Sequence, residues 1–158
     1  MLARIHPISG LIAFLTILTF WVSTVTSELF GSRDTIAQVK ETIPWGFLVL
    51  VPTLAATALS GMRLAGSSLD PRIAMKRRRM PIIAANGLLV LMPSAFYLAK
   101  LASLYDFGAW FYGVQAIELV AGTINLSLMS LNIRDGLHLT RRLKASGQGA
   151  GISNHLRG

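Results

Sequence analysis

Apolar residues along this chain gather into four long runs, roughly 8–27, 44–65, 81–103 and 109–133, separated by short polar stretches. Each approaches or exceeds the ~20 apolar residues that a helix needs to cross ~30 Å of hydrocarbon. In lipid a backbone must satisfy its own polar groups, so the runs predict four transmembrane helices. The expected fold is an all-α membrane protein, a four-transmembrane-helix antiparallel bundle forming one domain over 1–144. A disordered, flexible tail is expected over 145–158, which is too poor in apolar residues to pack.

The connections predict little outside the bilayer. Between the first two runs, Ile36, Val39 and Ile43 recur at helical spacing, with Arg33, Asp34, Lys40 and Glu41 assigned to the other side. That pattern predicts a short interfacial helix lying on the outer surface. Asp70-Pro71 reads as a turn in the second connection. The third, about 104–108, is short enough to force an antiparallel pair. Pro52 and Pro93 fall mid-helix, where a missing N–H and a bulky ring kink or open the backbone.

Within the runs, polar and small residues recur on one side of each helix. In the fourth they are Gln115, Glu118, Gly122, Asn125, Met129 and Asn132, at alternating three- and four-residue spacing. The third run gives Asn86, Val90, Pro93, Tyr97 and Lys100. The first gives Ser9, Thr16, Thr19, Ser23 and Thr26, with His6 a turn earlier. The second gives Thr53, Thr57 and Ser60. Polar faces in lipid turn toward partner helices, so the stripes predict a polar seam inside the bundle.

Composition agrees: 53% of residues are hydrophobic and 14% charged, against about 25% charged in soluble domains. The formal charge of +8 is a matter of topology. Of 15 Lys and Arg, 12 fall at the termini and around the second connection. The positive-inside rule therefore places both termini in the cytoplasm of a bacterial-type inner (plasma) membrane, crossed in multiple passes. Lys76, Arg77, Arg78 and Arg79 form a basic cluster suited to lipid headgroups. Trp45, Tyr105, Trp110 and Tyr112 are expected at the outer ends as an interfacial belt. No aromatic or glycine-rich reading element accompanies the charge, so nucleic acid is not an expected partner. The first run exceeds the 7–15 apolar residues of a signal peptide and reads as a retained helix. The absence of cysteine excludes disulfides and thiolate metal sites.

Glu118 lies about 13 Å along its helix, far from both interfaces, at a depth shared with Thr19, Thr53 and Tyr97. An intramembrane carboxylate is costly and points to function or to a hydrogen-bond hub. Lys100 is the cation expected to reach it. Gln115 lies beside it, and Asn86 and Asn125 fall at a common depth where they can bond across helices. Walker, HExxH and GxSxG motifs are absent, and no catalytic residues are assigned. The sequence thus points first to a non-catalytic accessory, anchor or assembly subunit of a larger membrane complex, with other subunits or a second copy as partners. The alternative is a proton- or ion-coupled small carrier working through Glu118. The third reading is a haem b or quinone-linked redox subunit, with His6 as ligand and Met129 as the second axial group.

Overall fold

The computed structural model describes residues 2–65 and 71–155, without the side chains of 2–4, 65, 71–73, 76–77 and 139–155. Residues 145–155, where a flexible tail is expected, are described by their backbone alone, as the last turns of α5; residues 156–158 of that tail, and Asp70 of the turn expected at Asp70-Pro71, lie outside the described residues. Five α-helices follow in order: α1 (Leu2–Phe30), α2 (Arg33–Ala65), α3 (Pro71–Asn86), α4 (Met92–Ser103) and α5 (Ala109–His155). A π-helical turn, Gly87–Leu91, joins α3 to α4 without a break, so the two act as one rod. Four stretches are long and apolar enough to cross a membrane: Ile5–Phe30, Arg33–Leu64, Arg78–Ser103 and Ala109–His138.

Packing closes a ring. α1 lies against α2, α2 against α4, α5 against α3 and α4, and α1 again against α5. α2 and α5 therefore stand at opposite corners. One end of the bundle carries the turns at 31–32 and 104–108 (the turn end); the other carries the start of α1, the end of α2 and the start of α3 (the basic end). The lateral surface is strongly apolar, with Leu11, Leu48, Leu89 and Val120 exposed on four different rods.

Residues 32–43 do not form a separate surface helix, which corrects the expectation. They are the first turns of α2. Ser32 caps it, its Oγ accepting from the Thr35 N–H at 3.3 Å. Ile36, Ala37, Lys40, Ile43 and Leu50 then make one continuous buried face. The preceding turn needs Gly31, since a Cβ there would meet the Ser27 carbonyl oxygen at 2.5 Å. Along the same pair of helices, a Cβ on Gly46 would lie 2.2 Å from the Phe20 ring, so this glycine sets the α1–α2 approach. Trp45, at about 18 Å along α2, is exposed well below the level of Trp110 and leaves the expected belt.

The π turn has a local cause. Pro93 has no N–H, and its ring crowds the carbonyl four residues back, Leu89. The chain responds by widening the preceding turn, with the Met92 N–H bonding to the Gly87 carbonyl five residues back. One extra residue rotates everything beyond it by about 100°. The inner face therefore runs through Leu91, Ser94, Leu98 and Leu101, each one position beyond the expected row.

Candidate functional site

Two apolar layers bracket a charged one. Toward the turn end, Ile36, Ala37, Leu98, Ala102 and Phe111 pack together. Deeper in, Ala13, Ile17, Leu50, Ile83 and Met129 form a second cluster. Between them Lys40 Nζ donates to Glu118 Oε2 at 2.5 Å and to Thr24 Oγ1 at 3.3 Å. Lys40 is 1% exposed and the Glu118 side chain 12%. The pair spans the diagonal of the bundle, from α2 to α5. Lys40 lies about 10 Å along α2 and Glu118 about 13 Å along α5, so the two helices present them at matching depth.

Lys40, not Lys100, is thus the partner of Glu118. Beyond the π turn, Lys100 and Tyr97 rotate onto the outside of α4 and are exposed. Lys40 was missed because the charged start of α2 reads as extramembrane when the span is begun at Pro44. The helical wheel carried the signal: residue 40 lies only about 40° from residue 36, on the side of Ile36 and Ile43.

The stripe on α5 is the inner face, with Gln115, Asn125, Met129 and Asn132 buried and Asp135 added at the basic end. Two polar atoms here stand out. Gln115 Oε1 and Glu28 Oε1 are buried without a hydrogen-bond donor among the described residues. The threonines of α1 behave differently from expectation. Thr19 is exposed and donates to its own helix at the Leu15 carbonyl (2.9 Å). Thr53 likewise bonds the Val49 carbonyl at 2.8 Å. A hydroxyl that can donate to the preceding turn needs no partner helix, so neither residue joins the Glu118 layer.

Asn86 Nδ2 donates to Asn125 Oδ1 at 2.9 Å and to the Ala121 carbonyl at 2.8 Å, joining α3 to α5. At the basic end, Arg79 Nη1 bonds Asp135 Oδ2 at 2.8 Å and so turns inward to α5. Arg78 is exposed; the side chains of Lys76 and Arg77 lie outside the described residues. His6 Nδ1 sits 3.0 Å from the Thr57 carbonyl and 3.1 Å from Ser60 Oγ. A carbonyl only accepts, so Nδ1 carries a proton there. Met129 is packed in the deeper apolar cluster.

A cavity of about 50 Å³ adjoins the ion pair, lined by Phe20, Trp21, Phe47, Leu91, Glu118 and Gly122 among others. Its walls are apolar apart from Thr24, Glu118 and the Trp21 indole, so the space is too small for a metabolite and offers few of the two to four polar partners that a bound water needs. Trp21 Nε1 donates to the Leu119 carbonyl at 3.2 Å beside it. At the turn end, Tyr105 donates to Asp34 Oδ1 at 2.8 Å, which pushes its phenol above the ordinary value. Among the described residues no group of three His, Cys, Asp or Glu side chains is placed to hold a metal ion.

Fold and site together define an all-helical bundle with four candidate spans, compatible with a multi-pass membrane protein, and a charged layer in its interior. Comparison with protein-family models, curated proteins and solved structures finds no match for the chain.

Proposed function

We propose that the protein is a non-catalytic accessory, anchor or assembly subunit of a larger complex in a bacterial-type inner membrane, with both termini cytoplasmic. The observation that carries the reading is how the interior polar groups are used. They join helix to helix at successive depths: Thr57 to Ser9, Lys40 to Glu118, Asn86 to Asn125 and Arg79 to Asp135. Such links rigidify a bundle whose apolar flanks face outward, as suits a scaffold that other membrane subunits pack against. Native mass spectrometry after gentle extraction tests it. Bound polypeptides of other mass are the expected result; clean multiples of 17.1 kDa with nothing attached would overturn it. A single cysteine placed in the cysteine-free chain at either terminus should label only from the cytoplasm.

A second reading is favoured by the cavity beside Glu118: a proton- or ion-coupled carrier in which Lys40 and Glu118 separate and re-pair. Glu118→Gln separates the two readings, because it keeps a hydrogen bond to Lys40 and removes the exchangeable charge. Lost transport with intact assembly supports the carrier; intact assembly with only the lower stability of a Lys40 deprived of its carboxylate supports the scaffold.

A further inference from the structure

The charged layer is one positive charge short. From α1 it faces Glu28, close enough to act electrostatically on Lys40; from α2, Lys40; from α5, Glu118 and Gln115. α4 turns Ser94, Ala95, Leu98 and Ala102 inward, none of them ionisable. The other ionisable groups of the turn end, Arg33, Asp34, Glu41, Lys100 and Asp106, are exposed. Two carboxylates therefore share one ammonium in a low-dielectric interior. Lys40 uses two of its three N–H groups, on Glu118 and Thr24.

The second observation is independent of charge. Glu28 and Gln115 each bury an oxygen with no donor, and Gln115 is 4% exposed. Glu28 lies one turn beyond Thr24 on α1, and Gln115 one turn before Glu118 on α5. Because α1 and α5 run antiparallel in contact, and Trp21 meets Leu119 and Gly122 between them, both steps lead toward the turn end. The two oxygens thus fall in one layer, about 5 Å outward of the ion pair. Unpartnered buried acceptors lose a full hydrogen bond's worth of solvation unless something positive or donating sits with them.

We propose that this layer binds one monovalent cation, a sodium ion held by Glu28 Oε1 and Gln115 Oε1. Sodium is hard, singly charged and matched to oxygen donors, and it neutralises the set Glu28, Glu118, Lys40.

The test is thermal unfolding of the full chain in nanodiscs of zwitterionic lipid, followed by tryptophan emission. Sodium is exchanged for choline at constant ionic strength and pH. Tm is expected to rise with sodium. Glu28→Gln, which is close in shape and already neutral, should abolish the response and raise Tm in choline. Gln115→Leu removes the other orphan oxygen and should weaken the response while leaving the charge count unchanged. A wild-type Tm indifferent to sodium, or an undiminished response in Glu28→Gln, overturns the proposal.

Discussion

Replacing Lys40 by Met keeps most of the stem and removes the ammonium, leaving the Glu118 carboxylate without the cation it bonds between two apolar layers. At 2.5 Å and an effective dielectric constant near 20, the direct attraction is about 6–7 kcal/mol. Desolvating both ions offsets most of that, at several kcal/mol each. The intact pair is thus close to neutral in net stability, yet breaking it is expensive. Losing one partner of a buried pair costs about 3–5 kcal/mol. Protonation sets a ceiling, since neutralising an ordinary glutamate at pH 7 takes about 3.7 kcal/mol. Lys40→Met is expected to destabilise by about 3 kcal/mol at pH 7, shrinking by up to ~1.4 kcal/mol for each unit the pH is lowered. Lys40→Met with Glu118→Gln should recover more than half of the loss. The assay is a double-mutant cycle by reversible unfolding in mixed micelles, read by far-UV circular dichroism. A double variant no more stable than Lys40→Met would refute the reasoning, as would a pH-independent penalty. Lys100→Met, on the outer face, should change stability by less than about 0.5 kcal/mol.

Asn125 is 1% exposed and bonded across α3; Asn125→Ala should cost about 1–2 kcal/mol, measured by the same unfolding, and a loss below 0.3 would show the bond to be idle. Gly46→Ala puts a methyl where the Phe20 ring lies and should cost about 1–3 kcal/mol, with Phe20→Ala in the same chain recovering part of it. The Tyr105 phenol, raised by its bond to Asp34, should ionise above the ordinary tyrosine value in ultraviolet pH titration. Asp34→Asn should lower it. Because the folded value is the raised one, any stability from this bond is full at neutral pH and lost as the pH climbs through the tyrosine range.

The four spans and the inner face of α5 were legible because helical periodicity and bilayer thickness act through many residues at once. Asn86 and Asn125 could be paired because no residue-count irregularity lies between either asparagine and the basic end. The row 93, 97, 100 was misplaced for the opposite reason. A single π turn is a one-residue event that no periodic pattern records, and it moved Tyr97 and Lys100 outward together. Thr19 and Thr53 were misjudged because threonine looks polar in a sequence while its hydroxyl is already satisfied by its own helix. Lys40 is hidden by the span boundary: charge ordinarily marks the end of a span, although a charge with a partner 78 positions later can lie inside one.

That separation gives the diagonal ion pair a role in the bundle as a whole. α1 and α2 are adjacent in the chain, and within that hairpin Lys40 has Thr24 as its hydrogen-bond partner and Glu28 nearby. The carboxylate it bonds, Glu118, belongs to the last helix at the opposite corner. The pair is therefore a contact that only the completed bundle can make: it joins two diagonal corners and ties the register of the first hairpin to the last helix.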